Sequence, residues 1–267
     1  MPFTFAHPAA VVPLLRPLGR HAVFSALVIG SMVPDFSYFL PFPVARRQSH
    51  DLLGLFWFCL PAGALSYALF HGVLAAPLVD LLPTGPRLRC AALFVARVRP
   101  AISAVAFSLF VGSLTHIAWD AFTHAGAPIV RVSRALRLHL WTVSGYPISV
   151  FTILQHLSTA IGLVLIAMWA ARWLRETPAP QTPPPAALGS AGRWIALASI
   201  VAVAAGFWIA SGTIGPPRES TLRGVQFALR RAVPTGIAAV GAAVTLYALT
   251  WQIWARASGR ALRRPAR

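Results

Sequence analysis

Repeated apolar runs constrain this chain most, because several approach or exceed the ~20 residues that a helix needs to cross a bilayer. They lie at 52–79, 101–123, 148–171, 194–210 and 235–254. In hydrocarbon every backbone N–H and C=O must be satisfied within its own segment, which leaves helices as the spanning form here. The expectation is an all-α, polytopic integral membrane protein with about five transmembrane helices. Composition agrees: 57% of the residues are hydrophobic and 11% are charged, against roughly 25% charged in a soluble domain. Mean hydropathy is +0.67.

The remaining segments divide the chain. Residues 22–33 are apolar but too short to span, and fit an interfacial or re-entrant helix closed by Pro34 and Asp35. Pro61 and Gly63 should kink the first span. Residues 176–192 are Pro-rich and read as an extended linker. Three parts are expected: a helical membrane domain of three spans over 1–175, the linker at 176–192, and a two-span hairpin with a basic tail over 193–267.

The net charge is +17, and every basic residue is arginine. These arginines flank the apolar runs, where they snorkel to the interface or meet anionic headgroups. They are not interleaved with aromatics on a soluble face, so membrane lipids are the expected partners and nucleic acid is not. With five spans they divide almost evenly between the two sides, and their count sets no orientation. Cys59 and Cys90 suggest neither a disulfide framework nor a cysteine zinc site, and read as small buried hydrophobes.

Acids are scarce, numbering six, and none of the eight histidines lies beyond His156. Within Thr115 to Gly126, T-H-I-A-W-D-A-F-T-H-A-G, His116, Asp120 and His124 stand four apart and would line one helix face. Ionisable groups at membrane depth are costly and face a protein interior or a wet cavity. Spans alternate in direction, so the start of the first, the end of the second and the start of the third share one side. At about 1.5 Å per residue, His156 lies roughly 12 Å inside its end of the third span, about as deep as His116 in the second. His50, Asp35 and His7 reach the same side. His71 is roughly 30 Å away by the same count, and His21 and His139 have no partner at a telling spacing. Asp51, beside His50, is explained as a helix N-terminal cap.

The set is then His7, Asp35, His50, His116, Asp120, His124 and His156, a nitrogen and oxygen group suited to Zn²⁺, Mn²⁺ or Fe²⁺. It would serve one ion with supporting partners, or two ions bridged by Asp35 or Asp120. The chemistry that follows is activation of water, with Asp35 and Asp120 as the catalytic carboxylates. Buried polar packing and a proton path are the alternatives to a metal.

The blocks F-T-F-A-H-P-A-A, S-A-L-V-I-G-S-M-V-P-D-F, S-H-D-L-L-G, T-H-I-A-W-D-A-F-T-H and L-Q-H-L-S, in this order over roughly 1–175, resemble the bacterial membrane family of domain of unknown function 4184. That family has no established activity. The order of histidines and aspartates also resembles the membrane-bound metal-dependent hydrolases of bacterial inner membranes. More distantly it is similar to the all-helical zinc-dependent phospholipase C and single-strand nuclease superfamily. Carried over by motif, the same seven residues fall on that superfamily's metal-ligand pattern. Ala160 stands where the superfamily places a carboxylate, so the resemblance implies two metals rather than three. It implies a bacterial inner-membrane, metal-dependent hydrolase acting on a phosphoester of a lipid or lipid-linked substrate. A metal-ion or proton transporter, and a non-catalytic scaffold with a structural metal site, are the rivals.

Overall fold

The computed structural model describes residues 4–39, 46–95, 100–143, 145–180, 186–211 and 222–258. Five helices are long and apolar enough to cross a membrane: Leu55–Leu81, Ile102–Val132, Val150–Glu176, Ser190–Ala210 and Ala232–Ala257. They are called the first to fifth spans below, the second being taken to end with its continuous helix at Thr123. Large apolar side chains such as Leu65, Leu157 and Val201 point outward along them, as helices facing hydrocarbon require. This is a helical integral membrane protein.

The chain forms two compact units that are interleaved in sequence. One takes residues 1–67 and 99–172, and the other takes 68–98 and 173–267. The boundaries fall inside the first span and just after Arg172, not at the Pro-rich segment.

In the first unit the short helix Phe24–Gly30 lies against the second span. A Cβ at Gly30 would run into the Leu109 carbonyl, and one at Gly112 would meet the Leu27 carbonyl. The two backbones touch because both residues are glycine, the close approach that small residues permit between membrane helices. Ser108 ties the joint by accepting from Val23 N–H at 2.9 Å and donating to the His21 carbonyl at 3.1 Å. Ser113 donates to the Gly30 carbonyl at 3.1 Å. A core of Val33, Leu55, Phe58 and Cys59 closes over this side. The stretch 22–33 is thus a short helix packed on a span, with the 3-10 turn Val33–Tyr38 following it.

The first span is not uniform. Leu55–Cys59 and Phe70–Leu74 are π-helical, and α-helix occupies Leu60–Leu69 and Ala75–Leu81. Asp51 Oδ1 accepts from Gly54 N–H at 2.5 Å at its start, the capping role expected of it.

In the second unit, residues after the first span form the helix Thr84–Val95, and Arg87 on it is buried. Asp80 is buried as well. It accepts from Ala187 N–H at 3.2 Å, Leu188 N–H at 2.9 Å and the Trp251 indole at 3.0 Å. Part of the Pro-rich segment is therefore fastened to the fifth span through one carboxylate. Residues 181–185 and the arginines beyond Ser258 lie outside the described residues.

Between the second and third spans the chain makes two short helices, Pro128–Val132 and Arg134–Arg137, and then a hairpin. Its strands, His139–Val143 and Tyr146–Ser149, are antiparallel, and Gly145 supplies the left-handed φ of 77° at the tip.

Candidate metal centre

Four elements of the first unit deliver the polar cluster. His7 sits on the 3-10 turn Thr4–Ala10, and Asp35 on the turn Val33–Tyr38. His50 follows the helical turn Arg46–Ser49, and His116 and Asp120 come from the second span. His124 is the C-cap of that helix, with extended backbone at φ −114° and ψ 137°. Gly126, at φ 76°, then turns the chain away. Thus His116 and Asp120 share a helix face as the spacing predicts, while His124 reaches Asp120 from the frayed end.

One donor atom from each of Asp35, His50, His116 and Asp120 lies within 4.8 Å of every other, so the group could hold a metal ion. His50 Nε2 is 3.4 Å from Asp35 Oδ1 and 3.5 Å from Asp120 Oδ2. His116 Nε2 is 3.7 Å and 3.5 Å from the same two oxygens. These separations exceed ordinary N–H···O lengths of about 2.7–3.2 Å. They match neighbouring ligands around a single ion, since donors about 2.1 Å from a tetrahedral cation stand about 3.4 Å apart.

Tautomers sharpen the point. Ser31 O accepts from His116 Nδ1 at 2.7 Å. A carbonyl only accepts, so Nδ1 carries the proton and a neutral ring turns the Nε2 lone pair toward two carboxylates. Such lone pairs repel across a buried space unless a cation lies among them. His116 Nε2 and both ring nitrogens of His7 are buried without a hydrogen bond among the described residues. Elsewhere the shell is well tied. Thr4 donates to Asp35 Oδ2 at 2.6 Å, and Ser49 Oγ pairs with His50 Nδ1 at 2.9 Å. Supporting bonds of this kind fix ring orientation in metal sites.

The other oxygen of Asp120 lies beside two further rings, with His124 Nδ1 3.2 Å and His7 Nε2 3.8 Å from Oδ1. The His7 ring stacks on His116 at 3.8 Å between centroids. Burial, with the neighbouring His116 ring acting the same way, pushes His7 down to about 3, against the opposing pull of Asp120 and Asp35. It is a neutral imidazole, the form that binds metals. Burial alone would raise the Asp35 carboxyl, but His50, His116 and the Thr4 hydroxyl together hold it below its ordinary range.

Six of the seven expected residues therefore meet in one buried place, four in the tight group and His7 and His124 beside it. His156 does not join them. It is exposed on the third span, whose inward face carries Thr152, Gln155 and Gly162. Its depth fits, but it stands one residue, about 100° of helix, past the buried Gln155. Thr4, Ser31 and Ser49 were passed over in the sequence. Their only signal is a hydroxyl or turn residue near each ligand, which is too common to single out. His71, His21 and His139 are exposed. The side chains of Arg46 and Arg47 lie outside the described residues.

No curated protein matches the chain, and no solved structure does. A family model described as Domain of unknown function (DUF4184) matches residues 1–249. The match runs past the first three spans into the fifth, beyond the roughly 175 residues that carry the motif blocks. The buried aspartate and histidine cluster is a candidate metal centre of this chain, and the chain belongs to the DUF4184 family.

Proposed function

We propose that this protein is a membrane-bound metal-dependent hydrolase, acting on a phosphoester of a lipid or lipid-linked substrate in a bacterial inner membrane. The observation that carries the reading is the set of four donors at ligand-to-ligand spacing, with the His116 lone pair fixed toward two carboxylates. When bound, a divalent cation, zinc before manganese or iron, lowers the pKa of a coordinated water to about 7 and polarises a phosphoryl oxygen. Asp35, His50, His116 and Asp120 would hold it. Asp120, through Oδ1, accepts a proton from the attacking water, and the half-exposed His124 at 3.2 Å relays it outward. His7 seals the inner side of the site as a neutral, buried ring.

Four protein donors also favour a second reading, since they alone complete a tetrahedron, and closed tetrahedral sites are structural. Hydrolysis needs a fifth position for water. The transporter reading finds less support. Asp80, an acid it would enlist for a path, spends both oxygens on Ala187, Leu188 and Trp251.

Elemental analysis of the purified protein beside His116→Ala and Asp120→Ala is the first test. The expected result is stoichiometric metal in the wild type and loss of it in both variants; a metal-free wild type removes the reading. X-ray absorption of the loaded protein then separates five or more ligands, as a hydrolase requires, from a closed four. Release of phosphate or headgroup from phospholipids and lipid phosphates completes the test.

A further inference from the structure

The segment between the second and third spans leaves the candidate centre at His124 and re-enters helix at Val150. Arg131, Arg134 and Arg137 are exposed along it. No Asp or Glu lies between Asp120 and Glu176 to neutralise them. Leu138, Trp141 and Val143 are exposed beside them, at 57%, 51% and 44%. The first strand is exposed at every position, so both of its faces lack cover. An isolated two-stranded hairpin is at best marginal in water, and apolar side chains on both faces make it less suited to water still. Both ends of the segment run directly into helices able to cross a membrane, which keeps the hairpin near the headgroup layer. Tryptophan and aliphatic side chains among arginines suit that layer, where rings lie between the acyl and polar zones and guanidinium groups meet phosphates.

We propose that residues 128–149 form a docking surface for anionic lipid headgroups, and that the lipid brought to the candidate centre is an anionic phospholipid. The choice of substrate class rests on the hydrolase reading; the docking itself does not. Arg131, Arg134 and Arg137 grip the headgroup phosphates, and Leu138, Trp141 and Val143 enter the outer acyl zone.

The test uses the full chain reconstituted in phosphatidylcholine vesicles with and without phosphatidylglycerol. Trp141→Cys in a Cys90→Ser background carries a polarity-sensitive fluorophore, Cys59 being buried. The emission should shift to the blue when phosphatidylglycerol is present. Preference for phosphatidylglycerol among bound lipids should fall on the order of fivefold for each arginine changed to glutamine. The Arg131→Lys, Arg134→Lys, Arg137→Lys variant should keep most of it. Metal content should be unchanged throughout, because none of these residues belongs to the donor set. An emission indifferent to phosphatidylglycerol, or an all-glutamine variant that behaves as wild type, overturns the proposal. A label that stays in water in both vesicles also overturns it, and gives the surface to a protein partner or a second copy. Lipid preference without metal or turnover would end the hydrolase reading and leave the docking surface standing.

Discussion

At the scale of single residues, two imidazoles set the behaviour of the cluster. His116 has one nitrogen committed to Ser31 O, and among the described residues His7 has neither nitrogen hydrogen-bonded. Asp120→Asn keeps the shape but halves the anionic charge facing them, so bound metal should fall at least as far as in His116→Ala. His156→Ala, by contrast, should retain wild-type metal, because that ring lies on the exposed side of its helix. Thr4→Val frees Asp35 Oδ2 from its hydroxyl and should weaken metal affinity about 10–100-fold, measured by competition with a chelator. Acid sensitivity follows from the same residues. The folded value of His7, about 3, lies below its ordinary 6.5, so the unfolded chain binds that proton more tightly. Its contribution to stability is full above about 6.5 and drains away as pH falls toward about 3. Asp35, also held low, acts in the same direction nearer 3.8. The thermal midpoint of the metal-free protein in detergent should drop steadily across that interval. Most of these residues were legible in the sequence, since aspartate and histidine are rare here and their spacing is regular. His156 misled because depth along a helix can be counted from sequence, whereas the direction a side chain faces depends on which neighbour covers it.

At the scale of elements, the joint between Phe24–Gly30 and the second span rests on two glycines that no side chain can replace. Gly112→Val must push the helices apart and cost several kcal/mol, on the order of other overpacked or strained core sites. Because that helix leads into Ser31 and Asp35, metal should be lost with stability. Asp80→Ala should also lower the thermal midpoint, the loss of stability being about 1–3 kcal/mol for each buried N–H left without its acceptor. It should spare the metal, since every donor belongs to the other unit. A paired metal analysis and melting curve distinguishes the two cases. These elements were only partly legible. Hydropathy marked the short apolar stretch but not its packing, and arginines made the helix Thr84–Val95 look like a loop. The hairpin escaped because its first strand is exposed at every position, and alternation of burial is the signal by which a strand is read.

At the scale of the whole molecule, five apolar helices with outward-facing leucine and valine require a bilayer. The protein should stay with membranes through alkaline carbonate washing and leave them only with detergent; release by carbonate would overturn the spanning assignment. The number of spans was legible because bilayer thickness sets a length that hydropathy can measure. The grouping of spans was not, because it depends on contacts between distant segments, and the first span proves to belong partly to each unit. The wide turns at Phe70–Leu74 give that span a fixed phase. A wide turn holds one residue more than an α turn, so removing a single residue there would close it to α geometry. Removing one from Ala75–Leu81 ahead of Asp80 would instead swing its carboxylate by about 100° from the amides it anchors. The stretch Phe70–Leu74 should therefore accept the loss of one residue far more readily than the regular turns on either side of it.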